Sequence, residues 1–246
     1  MLIAQISDLH AADDAASRAT MDRAMSYLGR LRVDALIVSG DLVESPTEAG
    51  YRLVRSWLAG SALPVFMIPG NADDRTAMRA VFSTHGYWPV DGPMNFAVVL
   101  NDEVRLVGFD VTVAGKAHGH ATRDGLRWLA AECDRKPRLP IVLMMHQHPF
   151  RIGIAPLDEA MCRNGEGLAD VVERFRDRFG IVLCGHGHRA VFTTIRTVPA
   201  AMCPSLAPGN PLLLDGHDGP GGVDPPGLLV HHVRADGINS HVISLV

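Results

Sequence analysis

The sequence predicts an α/β fold organised on a parallel sheet, and three observations carry that prediction. Short apolar runs alternate with amphipathic stretches over the first third of the chain. That is the βαβ pattern of a parallel sheet with right-handed crossovers. Five apolar runs end in Asp, Asn or His, most of them behind a glycine. Open α/β sheets place their sites at such strand ends. The chain has 246 residues, 47% of them hydrophobic, which suffices for one substantial core.

Residues 2–7 read as the first strand, ending in Asp8-Leu9-His10. Strand side chains alternate with period two, so Asp8 and His10 share a face. Residues 17–32 form an amphipathic helix, with Met21, Met25 and Leu28 at helical spacing. The run 35–39 is apolar nearly throughout, as a strand buried on both faces is, and stops at Gly40-Asp41. A helix over 47–59 packs Leu53, Val54, Trp57 and Leu58; the strand 64–69 then ends in Gly70-Asn71-Ala72-Asp73. A third helix covers 75–84, with Asp73 expected as its cap and Arg75 as a solvated charge at its start.

Residues 96–100 and 104–110 read as a hairpin across Asn101-Asp102. A helix over 123–134 and a buried strand over 141–145 lead to His146. The loop 147–165 is expected at the rim of the site, with Asp158 and Asn164 binding substrate. A helix over 166–179 precedes the strand 181–184 and Gly185-His186-Gly187-His188. Short β runs at 190–195, 198–203, 228–233 and 239–246, interrupted by the Pro- and Gly-rich loop 208–226, are expected to complete a second, more antiparallel sheet. No linker or repeat divides residues 1–246, so a single domain is expected.

The net charge is −4 and no basic block stands out, which disfavours a nucleic-acid polymer as partner. No apolar run reaches the roughly 18–20 residues of a membrane span. The chain enters its first strand without a signal-like segment, and a cytoplasmic location is expected. Cys133, Cys162, Cys184 and Cys203 lack Cys-x-x-Cys spacing, so neither a disulfide framework nor a thiolate zinc site is expected. The chain carries 12 histidines, a high share, and at least four stand at strand ends. His120, His217, His231 and His232 read as surface or core residues.

The candidate metal ligands are Asp8, His10, Asp41, Asn71, His146, His186 and His188. Seven oxygen and nitrogen donors exceed one tetrahedral ion and suit two ions sharing a carboxylate. Such a pair clamps phosphorus for in-line displacement and lowers the pKa of a bridging water. The donor set accepts Mn, Fe, Zn or Co.

These blocks resemble the calcineurin-like metallophosphoesterases, whose pattern runs Asp-x-His, Gly-Asp, Gly-Asn-His-Asp/Glu, His, Gly-His-x-His. His118-Gly119, Pro156-Leu157-Asp158 and Cys203-Pro204-Ser205 narrow the resemblance to bacterial cyclic-nucleotide and glycerophosphodiester phosphodiesterases. The resemblance implies a four-layer αββα sandwich of two mixed sheets flanked by helices. It implies one metal on Asp8, His10, Asp41 and His188, and a second on Asp41, Asn71, His146 and His186. It further implies Asp41, Asn71 and His118 as catalytic residues, a small phosphodiester hydrolysed by metal-bound hydroxide, and a homo-oligomer joined through the C-terminal β segments. A nucleotide pyrophosphatase, a phosphomonoesterase, or a low-turnover sensor of phosphate ligands would use the same site. One position departs from the pattern: Ala72 stands where the family carries a histidine beside the leaving group. His148 reads either as a group behind the ligands or as an ordinary loop histidine.

Overall fold

Continuous apolar runs give the central strands two buried faces, and two stacked sheets with outer helices cover both. The computed structural model describes residues 1–214, the backbone of 217 and 218, and residues 224–246. Strands β1 (Leu2–Ile6), β2 (Ala35–Val38) and β3 (Val65–Met67) alternate with helices α1 (Ala15–Arg30), α2 (Glu48–Leu58) and α3 (Arg75–Val81). Then come β4 (Phe96–Leu100), β5 (Val104–Gly108), α4 (Arg123–Asp134), β6 (Ile141–Met144), α5 (Ala155–Glu159), α6 (Gly165–Arg174) and β7 (Phe179–Cys184). The remainder is β8 (Val191–Ile195), β9 (Val198–Met202), the two-residue strands β10 (Leu213–Leu214) and β11 (His217–Asp218), β12 (Gly227–Arg234) and β13 (Gly237–Ser244).

One sheet has the order β13-β12-β1-β2-β3, the other β4-β5-β6-β7-β9-β8. Met21, Leu28, Tyr51 and Met78 of α1–α3 cover Ala4, Ile6, Leu36 and Val38 on the outer face of the first. Leu129, Leu168 and Val172 of α4 and α6 cover Leu143 and Val182 on the outer face of the second. Ile3, Ile37, Leu106, Met144, Leu183 and Leu229 fill the layer between. The result is a four-layer αββα sandwich.

The C-terminal strands depart from the expectation of one antiparallel sheet. β8 and β9 extend the second sheet, with β9 parallel to β7, whereas β12 and β13 add to the first beside β1. The reason is burial on both faces of β12. Leu228 and Val230 join the helix-covered core, while Leu229 and Val233 join the middle layer. A strand of that kind needs a place inside a covered sheet.

Smaller shifts have local causes. Asp14 caps α1 by accepting from the Ser17 N–H, which starts that helix two residues early. α6 stops at Arg174, and a 3-10 turn at Arg176–Arg178 delivers Phe179 into β7. The loop 147–165 contains α5, with Pro156 in its first turn. Within the predicted loop 208–226, residues 215–216, 219–223 and the side chain of His217 lie outside the described residues. No described helix is long and apolar enough to cross a membrane.

Asp74, not Asp73, caps α3, accepting from the Ala77 N–H at 2.8 Å. Asp73 is instead a half-buried brace that accepts from the Leu42 and Gly70 N–H groups and from the Tyr51 hydroxyl at 3.1 Å. The same hydroxyl accepts from the Asp74 N–H at 2.7 Å. Tyr51→Phe leaves the Asp74 N–H without its partner and takes one donor from Asp73, which costs about 1–3 kcal/mol. A urea midpoint equal to that of the wild type would refute this.

His231 of β12 is fully buried in the middle layer, against Gln5 and Ser240. Burial, reinforced by the charge of His241, pushes it down to about 3. Between pH 6.5 and 3 the unfolded chain therefore binds the proton that the folded chain refuses. Stability contributed by neutral His231 is present above pH 6.5 and is lost as pH falls, by about 1.4 kcal/mol per unit. His231→Gln is expected to flatten the unfolding free energy between pH 6.5 and 5 by that slope; equal slopes in denaturant titrations would contradict it.

Candidate metal centre

All seven candidate donors lie in the turns that leave parallel strands: Asp8 and His10 after β1, Asp41 after β2, Asn71 after β3, His146 after β6, and His186 and His188 after β7. Two sheets thus contribute to one site. The turns are tight. Asp8, His10, Asp41, His186 and His188 have φ between 41° and 73°, and they make up five of the nine non-glycine residues with positive φ among those described. Each such residue costs about 1–3 kcal/mol, and clusters of this kind mark functional sites. Two glycines let the turns close. A Cβ on Gly40, at φ +100°, would lie 2.4 Å from His146 Nδ1, and one on Gly185 would lie 1.9 Å from Ser7 Oγ.

The structure gathers the donors into two groups. Ligand atoms of Asp8, His10 and His188 lie within 4.8 Å of one another, as do those of Asp41, His146 and His186. Asp41 connects the groups, its Oδ2 standing 3.5 Å from His10 Nε2 and 3.3 Å from His146 Nε2. Asn71 Oδ1 stands 3.3 Å from the same His146 Nε2. Asp8 Oδ1 is 3.3 Å from His188 Nε2, and the Asp8 carboxylate also accepts from the His186 N–H at 2.9 Å.

Three imidazoles are oriented from behind. His146 Nδ1 donates to the Ser39 carbonyl at 2.7 Å, His188 Nδ1 to the Pro208 carbonyl at 3.0 Å, and His10 Nδ1 to the Glu44 carboxylate at 3.1 Å. A donor on Nδ1 leaves the Nε2 lone pair facing the centre, the arrangement of metal-bound histidines. Glu44 carries no signal in the sequence that marks it for this role.

The electrostatics fit a cation. Burial pushes the Asp8 and Asp41 carboxyls up, but His188 beside Asp8 and His146 beside Asp41 outweigh it, and both end below their ordinary range. Burial pushes His146 down, yet Asp41 and Asp8 raise it to about 9. Burial and the His146 charge push His186 down to about 3. Positive charge among these carboxylates is thus strongly favoured, while Nε2 of His10 and of His186 are buried without a partner. Lone pairs on buried nitrogens and paired carboxylates are the donor set of a divalent ion.

The other predicted site residues are not gathered with the seven. His118 lines a pocket with Arg75, Asn95 and Arg163 that contains none of the donors. Arg75 is not a solvated charge; it grips Asp110 with Nε at 2.6 Å and Nη2 at 2.8 Å. Asp158 accepts from the N–H groups of Ile152 and Gly153, and Asn164 donates to the Ala121 carbonyl. Both line a groove that also lacks the donors. Their side chains are engaged in holding the loop. A different cavity, about 780 Å³, reaches His10 and His188, and its walls come from Leu9, Met21, Trp57, Leu206 and Pro208 rather than from 147–165. His148 is fully buried, both ring nitrogens unpartnered, with its ring 5.7 Å from that of His186.

Comparison with known proteins follows the same lines. A glycerophosphodiester phosphodiesterase, GpdQ, from Enterobacter lignolyticus (strain SCF1) is 30% identical over 94% of this chain and 86% of its own length. The 3',5'-cyclic adenosine monophosphate phosphodiesterase CpdA of Escherichia coli (strain K12) is 28% identical over 63% of this chain and 54% of its own. The fold matches that of a dimetal phosphatase from Danio rerio with a TM-score of 0.74, at 13% identity, covering 100% of this chain and 99% of the other. The pattern of the calcineurin-like phosphoesterases matches residues 1–190, and with this site at the strand ends the chain belongs to that family.

Proposed function

We propose that the chain is a dinuclear-metal phosphodiesterase acting on a small phosphodiester, either a glycerophosphodiester or a cyclic nucleotide. The observation that carries this reading is Asp41, whose one oxygen stands between His10 and His146 and so joins two donor groups through a single carboxylate. Asp8, His10, Asp41 and His188 would hold one ion, and Asp41, Asn71, His146 and His186 the other, drawn from Mn, Fe, Zn or Co. When bound, the ions supply Lewis acidity toward the phosphoryl oxygens and toward water.

The chain's own residues do the rest. Ser39, Pro208 and Glu44 fix the imidazole orientations, and the Ala72 N–H donates to Asp41 Oδ1 at 2.7 Å, leaving Oδ2 for the centre. The cavity beside His10 and His188 offers an apolar wall to the alcohol half of a diester. The two relatives above, both named as phosphodiesterases, support diester over monoester chemistry. A non-catalytic sensor is not favoured, because every donor of the family's pattern is present. A cytoplasmic location and self-association belong to the same reading; Val242, 46% exposed on the edge strand β13, supports the second.

The test is hydrolysis of bis-(p-nitrophenyl) phosphate with added Mn²⁺. Turnover that chelator abolishes and Mn²⁺ restores is the expected result. Two bound ions without turnover would overturn the reading.

A further inference from the structure

The middle layer between the sheets is apolar apart from a few fully buried side chains, among them Gln5 of β1, Ser39 at the end of β2, and His231 of β12. They form one chain of hydrogen bonds. Gln5 Nε2 lies 3.0 Å from the Cys184 carbonyl, which can only accept, so the amide nitrogen faces it and Oε1 faces the other way. The same Nε2 donates to Ser39 Oγ at 2.8 Å. Gln5 Oε1 lies 3.0 Å from His231 Nε2, which must therefore carry the proton. His231 is neutral in this buried setting, so Nδ1 accepts, and Ser240 Oγ of β13 donates to it at 2.8 Å.

The far end of this chain is the metal centre. Ser39 is the residue whose carbonyl accepts from the His146 Nδ1–H, and it precedes Gly40-Asp41. Cys184 precedes Gly185-His186-Gly187-His188, and Gln5 itself sits three residues before Asp8. One amide thus ties together the three turns that carry Asp8, Asp41, His186 and His188. His231 orients that amide from the C-terminal hairpin, which holds no candidate ligand and lies outside the matched residues 1–190.

We infer that Gln5 and His231 are positioning residues for the metal centre, and that the β12–β13 hairpin serves the site through them. The inference rests on the proposed metal site. Removing the His231 donor leaves Gln5 Oε1 buried and unpaired, which frees the amide to turn and loosens its hold on Ser39 and Cys184, which precede two of those turns. Partners bonded directly to metal ligands are worth about 10–100-fold in metal affinity, and an effect relayed through Gln5 belongs at the low end of that range.

The experiment is Co²⁺ titration followed by the visible absorption of the bound ion, on the full chain, for wild type, His231→Leu, His231→Gln and Leu129→Ala. Leu129 is fully buried under the second sheet, far from this network in the layering, and its truncation controls for plain destabilisation. His231→Leu is expected to weaken Co²⁺ binding about 10-fold and to alter the spectrum. His231→Gln restores an N–H donor and should recover affinity to within a few-fold, and Leu129→Ala should bind as the wild type does. Ser240→Ala, on the edge hairpin, gives the milder version, a several-fold loss, should His231→Leu fail to fold. Wild-type affinity and spectrum in His231→Leu or, if that fails to fold, in Ser240→Ala would overturn the inference, as would an equal loss in Leu129→Ala. A wild-type protein that binds two ions without hydrolysing a diester would instead sink the proposed activity and leave this inference testable.

Discussion

Asp41→Asn is expected to lower kcat/KM on a phosphodiester by about 10³-fold or more and to reduce the bound ions below two. Asparagine keeps the shape and can still accept from the Ala72 N–H, so the turn retains its hydrogen bond. What changes is the charge and the second oxygen. Oδ2, 3.5 Å from His10 and 3.3 Å from His146, becomes an amide nitrogen that presents protons to two imidazole lone pairs. Metal ions supply several kcal/mol of charge stabilisation at a phosphoryl group, and about 1.4 kcal/mol is a factor of ten, which sets the size of the loss. Metal content by elemental analysis and initial rates with Mn²⁺ check it. Two ions retained together with undiminished hydrolysis would remove Asp41 from the bridging role proposed for it.

Ala72→His is expected to act in the opposite direction. The family's pattern carries a histidine here, and the position is well placed for it: the residue 72 N–H is 2.7 Å from Asp41, and the adjacent Asn71 reaches His146. Residue 72 itself is half-buried, at the rim rather than inside the donor set. Proton donation to a leaving alkoxide is worth about 10²–10⁴-fold. The gain should be large for a diester that releases an alkyl alcohol and small for one that releases p-nitrophenolate, which leaves without a proton. The readout is the ratio of the two gains. Equal gains would point to tighter binding instead of acid help, and no gain on either would show that position 72 supplies nothing to the reaction.

These two substitutions touch residues that the sequence alone singles out, and the reason is chemical. Residues able to hold a metal are rare types at rare places, so the candidate donors Asp8, His10, Asp41, Asn71, His146, His186 and His188 stand out at strand ends without any coordinates. The parallel strands and their helices are legible for a related reason. A strand buried on both faces is a continuous apolar run, and α1, α2 and α4 carry helical periodicity between capping residues.

Only the tertiary structure decides what depends on partners distant in the chain. The C-terminal strands divide between the two sheets because β12 pairs with β1, more than 220 residues away in register at Leu2 and His232. Residues 227–234 ask locally only for a sheet covered on both faces, and pairing with β1 decides which of the two covered sheets takes them. Asp158 and Asn164 resemble substrate contacts in sequence, but their neighbours turn them into loop braces. Gln5, Glu44 and His231 are ordinary residues in sequence, and the fold alone sets them behind the imidazoles and turns of the centre. The donors announce themselves through their own chemistry, whereas the residues that hold them acquire a role only through where the backbone carries them.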